Sequence, residues 1–202
     1  MHRGSRATTA GARVLHEPPA LRLFVALWPT PAVREALRAR RDAIGWPAGS
    51  SVVADERLHL TLHFIGAVPC ALWPRLLPAL RVPCAPAVLE LADPQAWRQG
   101  LVVLPALAVP EPLRALHAAL ASALTGLGLP VEARPFRPHV TLARRAAGAA
   151  LPSPGEPLRW RANGYALVNS DRLGYRVLAH YGPRGVRPGR RERRIEPAPP
   201  WS

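Results

Sequence analysis

One six-residue pattern occurs twice in this chain. Arg57-Leu58-His59-Leu60-Thr61-Leu62 returns 80 residues later as Arg137-Pro138-His139-Val140-Thr141-Leu142. Both copies read Arg-x-His-apolar-Thr-Leu, in a chain with only seven histidines and six threonines. In a β-strand successive side chains point to opposite faces. His59 and Thr61 therefore share one face, and Leu60 and Leu62 turn to the other. The second copy repeats this with His139 and Thr141 against Val140 and Leu142. Each copy buries an aliphatic side and presents an imidazole and a hydroxyl on its open side.

The surrounding pattern places both copies in the same local order of strand, helix, motif strand. A short apolar run over 21–27 reads as a buried strand. Trp28-Pro29 ends it, and Thr30 with Pro31 starts a helix carrying Val33, Leu37 and Ile44, closed by Gly45. The first motif strand is expected over 58–65, closed by Gly66. A helix over 71–80 is broken by Pro74 and Pro78. Strands are expected over 88–91 and 101–104. Pro110 and Glu111 open the clearest helix, with Leu113, Leu116, Leu120 and Leu124 on one face and Gly126 past its end. The second motif strand follows over 138–143, then a small-residue loop over 146–157. Two strands over 165–168 and 175–181 complete the order. Short connectors between mixed helices and strands give an α/β or α+β domain, with two related halves facing each other across a cleft.

Composition narrows the class. The 202 residues are 49% apolar and 20% charged, as in globular proteins. No apolar run is long enough to span a membrane. Cys70 and Cys84 are too few for a disulfide scaffold or a four-cysteine zinc site, and fit a reducing, cytoplasmic setting. The net charge is +14, and all 27 basic residues are arginine. With 25 prolines, that usage points to a coding bias rather than to function. The segments 1–20 and 183–202 carry a net +2 and +4, so 21–182 retains +8, which favours an anionic partner. The first segment reads as a flexible extension and the last as a disordered Arg/Pro-rich tail.

Two imidazoles across a cleft suit acid–base chemistry near neutral pH, one giving a proton while the other takes one. Cleavage of a phosphodiester needs both steps, and the threonine hydroxyls can donate to phosphoryl oxygens. Asp55 and Glu56 are the only acids near either motif, so no metal and no cofactor are expected.

At these residues the chain resembles the 2H phosphoesterase superfamily, and within it the bacterial and archaeal RNA 2′,3′-cyclic phosphodiesterases, also called 2′-5′ RNA ligase-like proteins. The resemblance runs over about residues 21–181. It rests on Leu21-Arg22-Leu23-Phe24-Val25-Ala26-Leu27-Trp28-Pro29, on His59 to Gly66, on Arg137 to Arg144, and on Leu167-Val168-Asn169-Ser170 with Tyr175-Arg176-Val177-Leu178. It implies a bilobal, pseudo-twofold α+β fold with antiparallel sheets flanking a central basic cleft and helices outside. It implies hydrolysis of an RNA 2′,3′-cyclic phosphate end to a 2′-phosphomonoester. His59 would protonate the leaving 3′ oxygen, His139 would activate water, and Thr61 and Thr141 would hold the phosphate. Reversible 2′-5′ ligation uses the same groups. A monomer with an RNA partner and no membrane is expected.

Arg144 is a further phosphate-binding candidate. Strict alternation points it away from His139, unless a bulge re-aims it. Phe64 holds the matching position in the first copy, and Arg145 is assigned to the rim. His63 shares parity with His59 and is expected to line the cleft. Trp46 and His117 are assigned to packing, and His180 to no role. Two alternatives keep the same residues: a phosphodiesterase for a small cyclic nucleotide or cyclic ADP-ribose phosphate, and a non-catalytic RNA-end-binding module.

Overall fold

The computed structural model describes residues 20–172 and 174–182. The sequence expectations for 1–19 and 183–202 lie outside the described residues.

The chain begins with β1 (Ala20–Leu27) and α1 (Pro31–Asp42). Thr30 Oγ1 accepts from the Val33 amide, and Pro31 sits where a helix needs no donor. A two-residue strand β2 (Ser51–Val52) and a 3₁₀ turn (Asp55–Arg57) lead to β3 (Leu60–Pro69). Next come a 3₁₀ turn (Cys70–Leu72), α2 (Trp73–Ala79), β4 (Ala87–Leu91), β5 (Gln95–Trp97) and β6 (Leu101–Pro105). The longest helix, α3 (Glu111–Gly126), precedes β7 (His139–Arg144). The last strands are β8 (Leu158–Ala162), β9 (Tyr165–Asp171) and β10 (Gly174–Tyr181).

One antiparallel sheet runs in the order β10-β9-β1-β3-β7-β6-β5, with β2 added on β7; β4 and β8 form a separate ribbon. The large sheet has two halves. β3 meets β7 through the single pair Leu60–Val140. β3 belongs to the half built on β1, and β7 to the half built on β6. The result is an α+β fold whose two halves flank a cleft.

One face of the sheet carries the main core. Leu23, Val25 and Leu27 of β1 join Leu37 of α1, Leu76 of α2 and the stripe Leu113, Leu116, Leu120, Leu124 of α3. The opposite face carries a smaller cluster of Phe24, Ala26, Ala166 and Val168, with Trp28 and Val177 packed on it. That second face borders the cleft.

Three strands escaped the sequence reading. β2 and β5 are two and three residues long, too short for a period to show. β8 has full alternation, with Leu158, Trp160 and Ala162 buried between Arg159 and Arg161, but it stands directly behind a proline-rich loop. Gly66 does not close its strand as expected. Its φ of +84° lets β3 continue through an irregular step opposite Leu23. Among the described residues no helix is long and apolar enough to cross a membrane.

Candidate active site

The two motifs meet at the seam of the sheet. In an antiparallel ladder, the residues on either side of a pair face each other. The Leu60–Val140 pair therefore sets His59 beside Thr141, and Thr61 beside His139. All four line one cavity of ≈ 870 Å³.

Both imidazoles are oriented in the same way. His59 Nδ1–H donates to the Arg57 carbonyl at 2.6 Å, and His139 Nδ1–H donates to the Arg137 carbonyl at 2.7 Å. A carbonyl only accepts, so each Nε2 is left for the cleft. His59 Nε2 lies 3.1 Å from Thr61 Oγ1 and accepts from that hydroxyl when neutral.

The motif arginine two residues before each histidine has a matching place. Arg57 lies over the Tyr175 ring at 5.5 Å, and Tyr175 lies against His59 at 5.4 Å. Arg137 lies over the Trp97 ring at 4.9 Å, and Trp97 lies against His139 at 4.8 Å. The enclosure is not equal. His59 also touches Phe24 at 4.8 Å and Trp28 at 5.9 Å. Burial among these rings pushes its pKa down to about 4; the charges of His139, Arg34 and Arg144 act in the same direction, and the Arg57 carbonyl opposes them. Burial also lowers the His139 pKa, helped by the Arg144 and Arg137 charges and opposed by the Arg137 carbonyl.

Each motif is held by the helix that precedes it. From α1, Arg34 donates to the Asp55 carbonyl at 2.5 Å, and Arg41 donates to the Val53 carbonyl at 2.7 Å and pairs with the Asp55 carboxylate at 2.6 Å. These contacts fix the segment entering His59. From α3, the His117 ring stacks on Phe136 at 4.0 Å and holds the segment entering His139.

A one-residue bulge in each motif decides the next side chain. Val25 pairs with His63 and Ala26 with Thr61, so Leu62 is an extra residue in β3. Val102 pairs with Ala143 and Val103 with Thr141, so Leu142 is an extra residue in β7. Each bulge reverses the parity downstream. Arg144 is thereby turned onto the cleft face and lines the cavity, as does Phe64 in the first copy. The same step overturns the expectation for His63. It is 2% exposed on the core side, stacks on His117 at 4.0 Å, and donates from Nε2 to the His117 carbonyl at 2.9 Å. Arg145 does not line the cavity and donates to Ser51 Oγ at 2.5 Å. Trp46 packs against the main core.

The residues around the histidines were missed by sequence reasoning. Arg57 and Arg137 were visible as part of the repeat, with the parity of their histidines. Phe24, Trp28, Tyr175 and Trp97 come from distant segments and left no local signal. Among the described residues, no three of His, Cys, Asp and Glu gather where a metal ion could be held.

The sequence profile of the 2′-5′ RNA ligase superfamily matches residues 28–172, a span that includes both motifs. The chain belongs to this superfamily. Within it, the chain is 31% identical over 169 residues to the RNA 2′,3′-cyclic phosphodiesterase of Thermus thermophilus, covering 75% of this chain and 82% of that protein. It is 35% identical over 153 residues to the RNA 2′,3′-cyclic phosphodiesterase of Escherichia coli, covering 74% and 87%. The fold agrees with the superfamily as well. The crystal structure of E. coli LigT complexed with 3′-AMP superimposes with a TM-score of 0.72 at 29% identity, covering 82% of this chain and 99% of LigT. A crystal structure from T. thermophilus gives 0.68 at 29%, covering 83% and 100%.

Proposed function

We propose that this chain hydrolyses the terminal 2′,3′-cyclic phosphate of RNA to a 2′-phosphomonoester, with His59 and His139 as the proton-transfer pair. The observation that carries the reading is the antiparallel seam at Leu60–Val140, which brings two His–Thr pairs onto one face of one cavity. The named activity of the two relatives supports the reaction, and the nucleotide complexes of LigT with 3′-AMP, ATP and NADP⁺ support a nucleotide ligand.

In the proposed step a water oxygen attacks phosphorus and the P–O3′ bond breaks. His139 Nε2 takes the proton from the water. His59 gives its Nε2 proton to the 3′ oxygen, leaving a 3′-hydroxyl and a 2′-phosphate. Thr61, Thr141 and Arg144 donate to the non-bridging oxygens, whose charge grows in the transition state. A 5′-hydroxyl in place of water would give a 2′-5′ linkage through the same groups.

The role of acid sits awkwardly with the burial of His59, which favours its neutral form in the free protein. The substrate resolves this. A phosphate anion beside Nε2 favours the imidazolium, so His59 gains its proton together with the ligand.

The test is incubation, with a chelator, of the protein with a short RNA ending in a 2′,3′-cyclic phosphate, and separation of the 2′- and 3′-phosphate products. Conversion to the 2′-phosphate, lost in His59→Ala and in His139→Ala, is the expected result. Tight binding of the RNA end without turnover would make the chain a binding module. Neither turnover nor binding would turn the reading to a small cyclic nucleotide.

A further inference from the structure

Beyond the histidines the cavity continues along the cleft face of β1. Ala26 pairs with Thr61, Phe24 with Phe64 and Arg22 with Ala67, so the row Ala26, Phe24, Arg22 leads away from the reacting centre. Four residue steps along the strand lead from Ala26 to Arg22, roughly 13 Å of backbone. The Arg22 side chain lies over the Phe64 ring, 5.1 Å from its centroid. Phe64 is 50% exposed and Tyr175 39% exposed, and both line the cavity, so each offers open ring surface to a ligand there. Arg172 lines the same end.

The charge here is uncommitted. Among the described residues Arg22, Arg57 and Arg172 take part in no ion pair, as holds for most arginines of the fold; what sets these three apart is that they line one cavity. The acid at this end, Asp171, accepts from Asn169 Nδ2 at 3.0 Å and from the Gly174 amide at 3.1 Å, and so closes the β9–β10 turn. The opposite wall is different. Ser51, Val52, Val53 and Ala54 contribute no ring, and Arg144 is its cation. Among the residues that line the cavity, Phe24, Phe64 and Tyr175 stand with Arg22 and Arg57 on the first wall, which gives the cavity a direction: a nucleoside suits the rings, and a second anion suits the arginines past them.

We infer that Arg22, with Arg172, forms a second phosphate subsite that takes the phosphate on the 5′ side of the terminal nucleoside. This rests on the phosphodiesterase reading and deepens it. The preferred substrate then carries two phosphates one nucleoside apart, and a bare nucleoside cyclic phosphate is a poor one. The second phosphate can come from the next phosphodiester of an RNA or from a 5′-phosphomonoester.

Three substrates test this: adenosine 2′,3′-cyclic phosphate, the same compound bearing a 5′-phosphate, and a diadenosine dinucleotide ending in the cyclic phosphate. The readout is the ratio of kcat/KM for each phosphorylated substrate to that for the nucleoside. The wild-type ratio is expected to be about tenfold or more, as one charge-assisted contact gives. Arg22→Gln and Arg172→Gln should each lower it severalfold, and Arg161→Gln, an exposed change on β8, should keep it. A gain with the dinucleotide alone assigns the subsite to RNA; equal gains assign it to any 5′-phosphate. A wild-type ratio near one, or equal losses on all three substrates in Arg22→Gln, overturns the subsite and leaves the phosphodiesterase standing. No turnover of any substrate by the wild type overturns both.

Discussion

Leu60 of β3 pairs with Val140 of β7, and through this one pair the two halves of the sheet are joined. Both side chains are fully buried. Because each is flanked by the histidine and threonine of its motif, the pair sets the spacing of all four. A slip of one residue would turn one motif's polar pair into the core. A sheet continuous through many pairs would gain nothing for the site; here the ladder is kept short, and the strands diverge around a cavity.

Loss of either histidine should remove its proton transfer while leaving the fold intact, since both rings border the cleft. His59→Ala and His139→Ala should each lower kcat on a cyclic-phosphate RNA by about 10²–10⁴. In the proposed step the two act together, so the double variant should lose little more. Steady-state kinetics with circular dichroism on each variant measures this; additive losses would refute a concerted pair.

The free imidazole of His59 should titrate near pH 4, and so should that of His117, whose pKa burial likewise pushes down to about 4, with the His63 charge adding to the shift. A histidine of the unfolded chain titrates near 6.5. Between those values the unfolded chain binds more protons than the folded one. Stability is therefore full above about pH 6.5 and is lost as the pH falls toward 4. Histidine-resolved NMR titration gives the midpoints, and inorganic phosphate should move that of His59 upward. A midpoint near 6.5 for His59 in the free protein would refute the enclosure. In thermal melts, His117→Phe should flatten the acid decline.

Adjacent arginines should separate sharply. Arg144→Gln, on the cleft face, is expected to lower kcat/KM by about tenfold or more, the scale of one charged contact to phosphate. Arg145→Gln, which removes only a bond to Ser51, should stay within a factor of a few. Equal effects would mean that the bulge at Leu142 does not set the direction of Arg144.

Gly164 marks a close crossing of the β8–β9 turn and the end of β10. A Cβ there would stand 2.2 Å from the Tyr181 carbonyl oxygen. Backbone would have to move, so Gly164→Ala should cost on the order of 1–3 kcal/mol. Tyr181 stacks on Tyr165 at 5.0 Å, and its hydroxyl donates to the Leu77 carbonyl. The loss should therefore appear in Tm, with the activity of the remaining folded protein preserved.

The elements with a strong local period were legible. The leucine stripe of α3, the Thr30 cap with Pro31, and the motif strands follow from side-chain spacing and from backbone donors that only certain residues satisfy. The four residues His59, Thr61, His139 and Thr141 were legible because a repeated pattern with fixed parity fixes a shared face. His63 was misplaced by the same rule. Parity holds only while the strand is regular, and nothing in Leu62-His63-Phe64 announces that Leu62 lies outside the ladder. The short strands β2 and β5 form because β7 and β6 stand beside them, not because of their own residues.

The sequence by itself determined which groups this protein can set around its cleft: two imidazoles, two hydroxyls and an excess of arginine, carried on strands whose alternation is a property of the backbone. The tertiary structure decided where those groups point. The bulges at Leu62 and Leu142, set in the pairings of β3 with β1 and of β7 with β6, exchange His63 for Phe64 and bring in Arg144. The rings around His59 arrive from β1, the segment after it, and β10. Their effect on its proton is a matter of burial, and burial is fixed by packing between segments far apart in the chain.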